Sequence, residues 1–346
     1  MPRLRFLSFL LPSLMAGLLL AASFSTPAAH AAMLDTVKNR GVLVVGVAGT
    51  VPGFSAPDEK GVWRGLDVDY GRAVAAAIFG SPEKIKFVPT TTKERFTALQ
   101  TGEIDVLSRN TTWSLQRDTE QGLDFVGVTF YDGQGFMVNK NLGVKSAREL
   151  DGASICIQMG TTTERNVSEF FAANKMTFKP VSFESADEAT VLYDKGRCDV
   201  YTTDVSGLAA RRTALSNPED HVILPDVISK EPLAPSVRQG DQPFADICRW
   251  VLAALISAEE LGVTSANVDE MLKSEVPDIR FLLGVEGKTG EMLGLPRDWA
   301  YQVIKQVGNY GEIFERNVGV NTTLKLERGS NDLWTKGGLM YGLPVR

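Results

Sequence analysis

The sequence predicts an α/β protein built as two similar lobes, and three observations carry that prediction. From Val42 onward, short β-branched runs alternate with amphipathic stretches, the rhythm of a mostly parallel sheet with helices on its faces. After Gly133 the rhythm starts again, which implies two units in tandem rather than one long sheet. The chain has 346 residues, 44% hydrophobic and 23% charged, enough length and apolar content to core both units.

The first thirty residues differ from the rest. Arg3 and Arg5 give a positive start, Phe6 to Ala22 is a mainly apolar run, and Ser23 to Ala32 is made mostly of small residues. Ala29-His-Ala31 fits the small-x-small cleavage rule, so residues 1–31 read as a secretory signal peptide. The apolar run is short of the roughly 20 residues that a membrane span needs. The expected product is exported to the periplasm and soluble.

In the first unit, Val42-Leu-Val-Val-Gly46 is a strand, Asp67 to Phe79 a helix, and Ile85-Lys-Phe-Val88 a second strand. Arg95 to Leu99 begins a helix that ends at Gly102, and Ile104-Asp-Val-Leu107 is a third strand. In the second unit, strands are expected at Ala153–Gln158, Phe178–Phe183 and Cys198–Thr202, with helices at Thr163–Asn174 and Ala186–Lys195. A helix after Asp204 is expected to run to about Asn217-Pro218. Helices then dominate from Phe244 to Phe281. Two α/β units imply a cleft between them, with ligands held by the loops that leave the carboxyl ends of the strands.

Charge and composition exclude several classes. With 36 Lys+Arg against 42 Asp+Glu the formal charge is -6, and removing the leader, which carries two Arg and no acid, makes it -8. A nucleic-acid partner needs clustered positive charge, which this balance does not offer. Only two His are present, and His221, beside Asn217-Pro-Glu-Asp220, reads as part of a surface loop. A His-based metal centre or catalytic network is not expected. For an exported chain the three cysteines tend to pair. Cys156 and Cys198 lie in strands that either neighbour and bridge or hold buried free thiols, whereas Cys248 lies in an apolar helix as a free thiol.

Three loops are able to carry binding chemistry. Asn110-Thr-Thr-Trp-Ser-Leu-Gln-Arg117 follows the third strand, and a guanidinium with backbone donors suits a carboxylate. Gln158-Met-Gly-Thr-Thr-Thr163 opens a helix, where Thr161 or Thr162 either caps the helix or joins an anion site. Asp204 ends a strand and either caps the next helix or faces the cleft as partner to a cation. An Arg for a carboxylate on one lobe and an Asp for an ammonium on the other fit a free amino acid.

At these residues the chain resembles the periplasmic solute-binding proteins for polar amino acids, the receptors of ABC importers. The resemblance rests on Gly65-Leu-Asp-Val-Asp69, Ser114-Leu-Gln-Arg117, Leu123-Asp-Phe-Val126, Gly160-Thr161-Thr162 and Asp199 to Asp204. It is nearest to the general L-amino-acid-binding subgroup, through Arg197-Cys-Asp-Val-Tyr-Thr-Thr-Asp204, Ile228-Ser-Lys-Glu-Pro-Leu233, Asn331-Asp-Leu-Trp-Thr-Lys-Gly-Gly338 and a C-terminal extension from about Glu291.

The resemblance implies a two-lobed periplasmic-binding-protein (Venus flytrap) fold, with residues 32–134 and 236–346 in lobe one, 135–235 in lobe two and two hinge crossings. It implies that Arg117 binds the α-carboxylate with the backbone at Asn110 and Thr112 and the loop at Gly160 and Thr161, and that Asp204 binds the α-ammonium. Phe54 would cover the ligand side chain, and Arg95, next to Thr92, would meet a side-chain carboxylate; on the residues alone Arg95 is equally a solvated helix-start charge. Relatives that prefer acidic ligands carry a second cation just after the first strand, where this chain has Ala48-Gly49-Thr50, so a broad specificity over glutamate, aspartate, glutamine and others is expected. No cofactor is implied. The implied partners are a polar L-amino acid and the permease subunits in the inner membrane, with the receptor a monomer. The competing expectation is a periplasmic dehydratase-like enzyme on the same scaffold.

Overall fold

The computed structural model describes residues 33–346; the leader assigned to residues 1–31 lies outside the described residues. Helix α1 (Met33–Arg40) leads into β1 (Leu43–Val47), whose five residues are all buried. Burial on both faces is what an apolar run without alternation requires. A small ribbon, β2 (Ala56–Pro57) and β3 (Trp63–Arg64), precedes α2 (Leu66–Phe79). Then come β4 (Ile85–Pro89), α3 (Arg95–Thr101), β5 (Val106–Leu107), α4 (Leu115–Glu120) and β6 (Leu123–Phe125).

Strand β7 (Phe130–Asp132) leads to β8 (Gln134–Asn139), which opens the second run. It continues through β9 (Ser154–Gln158), α5 (Thr162–Ala173), β10 (Lys179–Phe183), α6 (Ala186–Asp194), β11 (Val200–Asp204), α7 (Val205–Arg212) and β12 (His221–Ile223). The chain returns through β13 (Glu231–Leu233) and β14 (Ser236–Arg238). Helix α8 (Gln242–Glu260) follows, with α9 (Val268–Met271), α10 (Pro277–Leu282), α11 (Thr289–Leu293), α12 (Trp299–Val307) and α13 (Tyr310–Asn317).

The two five-stranded sheets share one plan. Sheet one has the order β4-β1-β5-β14-β6 and sheet two β10-β9-β11-β8-β12. In each, the first three strands are parallel, the fourth (β14 or β8) runs antiparallel to both its neighbours, and the fifth (β6 or β12) points the same way as the first three. Between the sheets, β7 and β13 pair antiparallel, with Asp132 opposite Glu231 and Phe130 opposite Leu233. These two strands are where the chain passes from one sheet to the other.

Two details depart from expectation. Helix α7 stops at Arg212, because Ala214 and Leu215 turn back onto the carbonyls of Arg211 and Arg212. His221 is not on a surface loop: it is buried at the start of β12, its Nδ1 2.8 Å from the Tyr193 hydroxyl. That bond, and a ring contact with the same tyrosine, account for its burial.

The C-terminal helices belong to the sheet-one core, where Trp299, Tyr310 and Phe314 pack with the buried residues of α2 and α8. The second Asp of Gly65-Leu-Asp-Val-Asp69 ties them down. Asp69 accepts from Arg316 Nη2 at 2.7 Å and Asn317 Nδ2 at 2.7 Å. Further on, Asn331 pairs with β7 through both its amide atoms, accepting from Tyr131 N at 2.6 Å and donating to Tyr131 O at 3.0 Å. Sheet two is cored by two smaller clusters, one on each face. Cys156 in β9 and Cys198 before β11 form a disulfide with a Cα–Cα distance of 5.6 Å, and Cys248 is a buried free thiol.

Candidate functional site

A cavity of about 490 Å³ opens where the carboxyl ends of the parallel strands of both sheets meet. Its wall from sheet one comes from the residues after β1 (Ala48, Thr50, Val51), after β4 (residues 90–95) and after β5 (Arg109, Asn110, Thr112 and Arg117). From sheet two come Gln158, Thr161–Thr163, Glu184–Asp187 and Asp204. This is the position that open parallel sheets reserve for ligands.

The structure brings Thr92, Arg95, Asn110, Thr112, Arg117, Thr161 and Asp204 to one cavity wall. Gly160 lines a smaller adjoining cleft, shared with Thr92, Arg117 and Thr161. Phe54 does not reach the wall: it packs edge-on against Phe130, ring centroids 5.2 Å apart, inside the sheet-one core. Its backbone is held there by Gly65, at φ 129, where a Cβ would stand 2.0 Å from the Phe54 carbonyl oxygen. The Ala48–Val51 stretch takes the wall position instead.

Arg117 is placed by helix α4. Ser114 caps that helix by accepting from Arg117 N, and the guanidinium turns back to donate to the Thr112 carbonyl at 3.0 Å. Phe96 lies beneath both Arg117 and Arg95, whose guanidinium carbons sit 5.6 and 4.6 Å from its ring centre. Such cation–π contacts orient a guanidinium without neutralising it. Asn110 has φ 40, a left-handed conformation rare outside glycine, and its backbone N–H donates to Asp67 at 3.2 Å. Burial pushes the Asp67 carboxyl up to about 7 despite that bond.

The Gly160 loop answers one question left open by the sequence. Thr161 is the N-cap of α5, accepting from Glu164 N, while Glu164 reaches back to accept from Gly160 N at 3.1 Å. Capping and cavity lining are therefore combined in one residue. Asp204 resolves the other way. It occupies the N-cap position of α7 but makes no side-chain capping bond. Asp132, 72 residues earlier, accepts from Ser206 N instead, and so performs the capping. The Asp204 carboxylate is left facing the cavity.

Its surroundings explain its electrostatics. Burial first, and then the negative neighbours Asp132 and Glu231, push the Asp204 carboxyl well above the usual range, while Arg117 and Arg95 partly oppose this. Burial also lowers the basicity of Arg117 and, more strongly, of Arg95. Glu231, on β13, is a residue whose role the sequence did not reveal. It accepts from Thr112 at 2.5 Å, from Thr162 at 2.9 Å, from Asn166 at 2.7 Å and from Ser229 at 2.6 Å. One carboxylate at the crossing strand thus holds residues from both sides of the cavity. Gln158 donates to Thr92 at 3.0 Å and Lys93 pairs with Glu184, adding further bonds across it.

A carboxyl that binds its proton more tightly in the folded chain favours folding below its unfolded value and loses that contribution as pH rises from about 4 upward. A cation bound beside Asp204 would reverse the preference, because it would stabilise the carboxylate. Binding is therefore expected to release protons above the ordinary carboxyl range, and affinity to rise with pH there. Calorimetry in buffers of different ionisation heat measures this directly, and Asp204→Asn should remove that release.

Fold and site together define a two-lobed binding protein with its ligand cavity between the sheets. Residues 43–266 match the bacterial extracellular solute-binding proteins, family 3, and the chain belongs to that family. It is 58% identical to the general L-amino acid-binding periplasmic protein AapJ of Rhizobium johnstonii over 321 residues, 92% of this chain and 94% of the relative. It is 54% identical to the glutamate/glutamine/aspartate/asparagine-binding protein BztA of Rhodobacter capsulatus, over 95% of this chain and 98% of that one. A solved ABC-transporter periplasmic binding protein from Brucella ovis, with glutathione bound, is 58% identical with a TM-score of 0.90, covering 92% of this chain and all of that one (100%).

Proposed function

We propose that the protein is the periplasmic receptor of an amino-acid ABC importer and that it binds polar L-amino acids by closure of two lobes. Residues 32–134 and 236–346 would form one lobe and 135–235 the other, moving about β7 and β13. The observation that carries this reading is the opposition of Arg117 and an uncapped Asp204 across one cavity. A zwitterion satisfies both: its carboxylate takes the guanidinium and its ammonium the carboxylate.

Closure follows from the same geometry. A ligand bridging the two sides binds the closed form better and shifts the population toward it, and the closed form is what a permease would read. The relatives named for glutamate, glutamine, aspartate and asparagine, and for general L-amino acids, support the ligand class. Their names are those of binding proteins, which supports a receptor over a dehydratase-like enzyme.

The test is a thermal-shift screen of ligand-stripped protein against the L-amino acids, their decarboxylated amines and glutathione. A ligand at a hundred times its dissociation constant stabilises by about 2.7 kcal/mol. Shifts with several polar L-amino acids but not with the amines are expected. A flat response to all amino acids would overturn the reading.

A further inference from the structure

The cavity holds more positive charge than a neutral amino acid answers. Arg95, Arg109 and Arg117 all line it, and among the described residues none forms an ion pair with a protein carboxylate. The other lining cations are already matched, Lys93 with Glu184 and Arg211 with Asp187. A ligand α-carboxylate consumes one of the three guanidinium groups, Arg117. Two remain.

Both line the cavity together with Thr92. Arg109, one residue before Asn110, is fixed by donating from Nε to the Thr90 carbonyl at 2.9 Å and from Nη2 to Thr92 Oγ1 at 3.2 Å. Its Nη1 makes no hydrogen bond within the described chain. Arg95 is 3% exposed, yet its guanidinium donates no hydrogen bond and its Nε is buried without a partner. The Thr92 hydroxyl already accepts from Arg109 and from Gln158, so both lone pairs are used and its proton is free to donate. The unspent groups on Arg95, Arg109 and Thr92 are all donors. A buried donor without a partner is costly, and one group that accepts several donors at once relieves all of them.

We propose that Arg109, together with Arg95 and the Thr92 hydroxyl, forms a clamp for a second carboxylate on the ligand, and that Arg109 is a specificity-determining residue favouring amino acids with acidic side chains over their amides. The assignment rests on the receptor reading above. Arg109 supplies, from the loop after β5, the second cation that Ala48-Gly49-Thr50 does not supply after β1. A side-chain amide presents one acceptor and two donors, and the donors face a guanidinium.

The test compares dissociation constants for glutamate and glutamine by calorimetry in the wild-type protein and in Arg109→Gln and Arg109→Lys. Wild type is expected to bind glutamate more tightly than glutamine. Losing one charge-assisted contact should lower the glutamate-to-glutamine affinity ratio in Arg109→Gln by roughly tenfold to a hundredfold, whereas Arg109→Lys, which keeps the charge but loses the fork that ties Arg109 to Thr90 and Thr92, should lower it by less than Arg109→Gln does. An unchanged ratio in Arg109→Gln overturns the clamp, as does a wild-type preference for glutamine, which needs no variant to detect. If no amino acid binds the wild type, the receptor reading itself fails, a result distinct from either.

Discussion

Replacing Arg117 by alanine is expected to abolish binding of every amino acid, whatever its side chain. Its guanidinium is half-buried, held over Phe96 and against the Thr112 carbonyl, and among the described residues it forms no ion pair with a protein carboxylate. An α-carboxylate bound there is desolvated, and without the arginine it is left uncompensated. Truncating one partner of such a pair costs about 2–5 kcal/mol, roughly 30-fold to several-thousand-fold in affinity. The result should be the same for glutamate, glutamine and alanine, measured by calorimetry on protein whose thermal midpoint is within a few degrees of wild type. Arg95→Ala supplies the contrast, with loss concentrated on acidic ligands. Should Arg117→Ala spare one ligand class, its role would lie with a side chain and the orientation of the ligand would have to be reversed.

That prediction was legible in the sequence, because Asn110 to Arg117 follows the third strand and sets a guanidinium beside backbone donors that suit a carboxylate. The alternation of strands and helices was legible for the same reason: it depends on local periodicity. The hidden parts depend on distance along the chain. Asp204 reads as an ordinary N-cap until Asp132 is seen to take that work. Glu231 opens a three-residue strand with nothing local to mark its role, yet it accepts bonds from Thr112 and Thr162, which flank the cavity from opposite sheets. Arg109 looks like any basic residue after a strand, and only its bonds to Thr90 and Thr92 turn it toward the cavity. Phe54 shows the converse, since the family resemblance implied a cover for the ligand side chain whereas Gly65 and Phe130 draw it into the core.

The C-terminal extension gains a structural meaning as well. Asn331 adds to the open edge of β7 by meeting both backbone atoms of Tyr131. Exposed strand edges are otherwise unsatisfied. A segment more than three hundred residues into the chain thereby supports one of the two strands that connect the sheets.

Removing the disulfide, by Cys156→Ser with Cys198→Ser, is expected to cost about 4 kcal/mol of stability, the chain-entropy value for residues 42 apart. The loss should fall on the second run of the chain. Its core is divided into two small clusters by sheet two, whereas the sheet-one core extends through the C-terminal helices. The bridge joins β9 to the start of β11, and so closes the region that presents Gly160, Thr161 and Asp204. The five tryptophans, Trp63, Trp113, Trp250, Trp299 and Trp334, all lie outside residues 134–223. Tryptophan fluorescence therefore follows sheet one, and hydrogen exchange of β9 to β11 follows sheet two. In the variant, exchange in β9 to β11 should accelerate before the fluorescence midpoint moves by a comparable amount. Coincident shifts on both probes would instead mean that the sheets unfold as one cooperative unit, and unchanged stability on both would show that packing alone holds sheet two together.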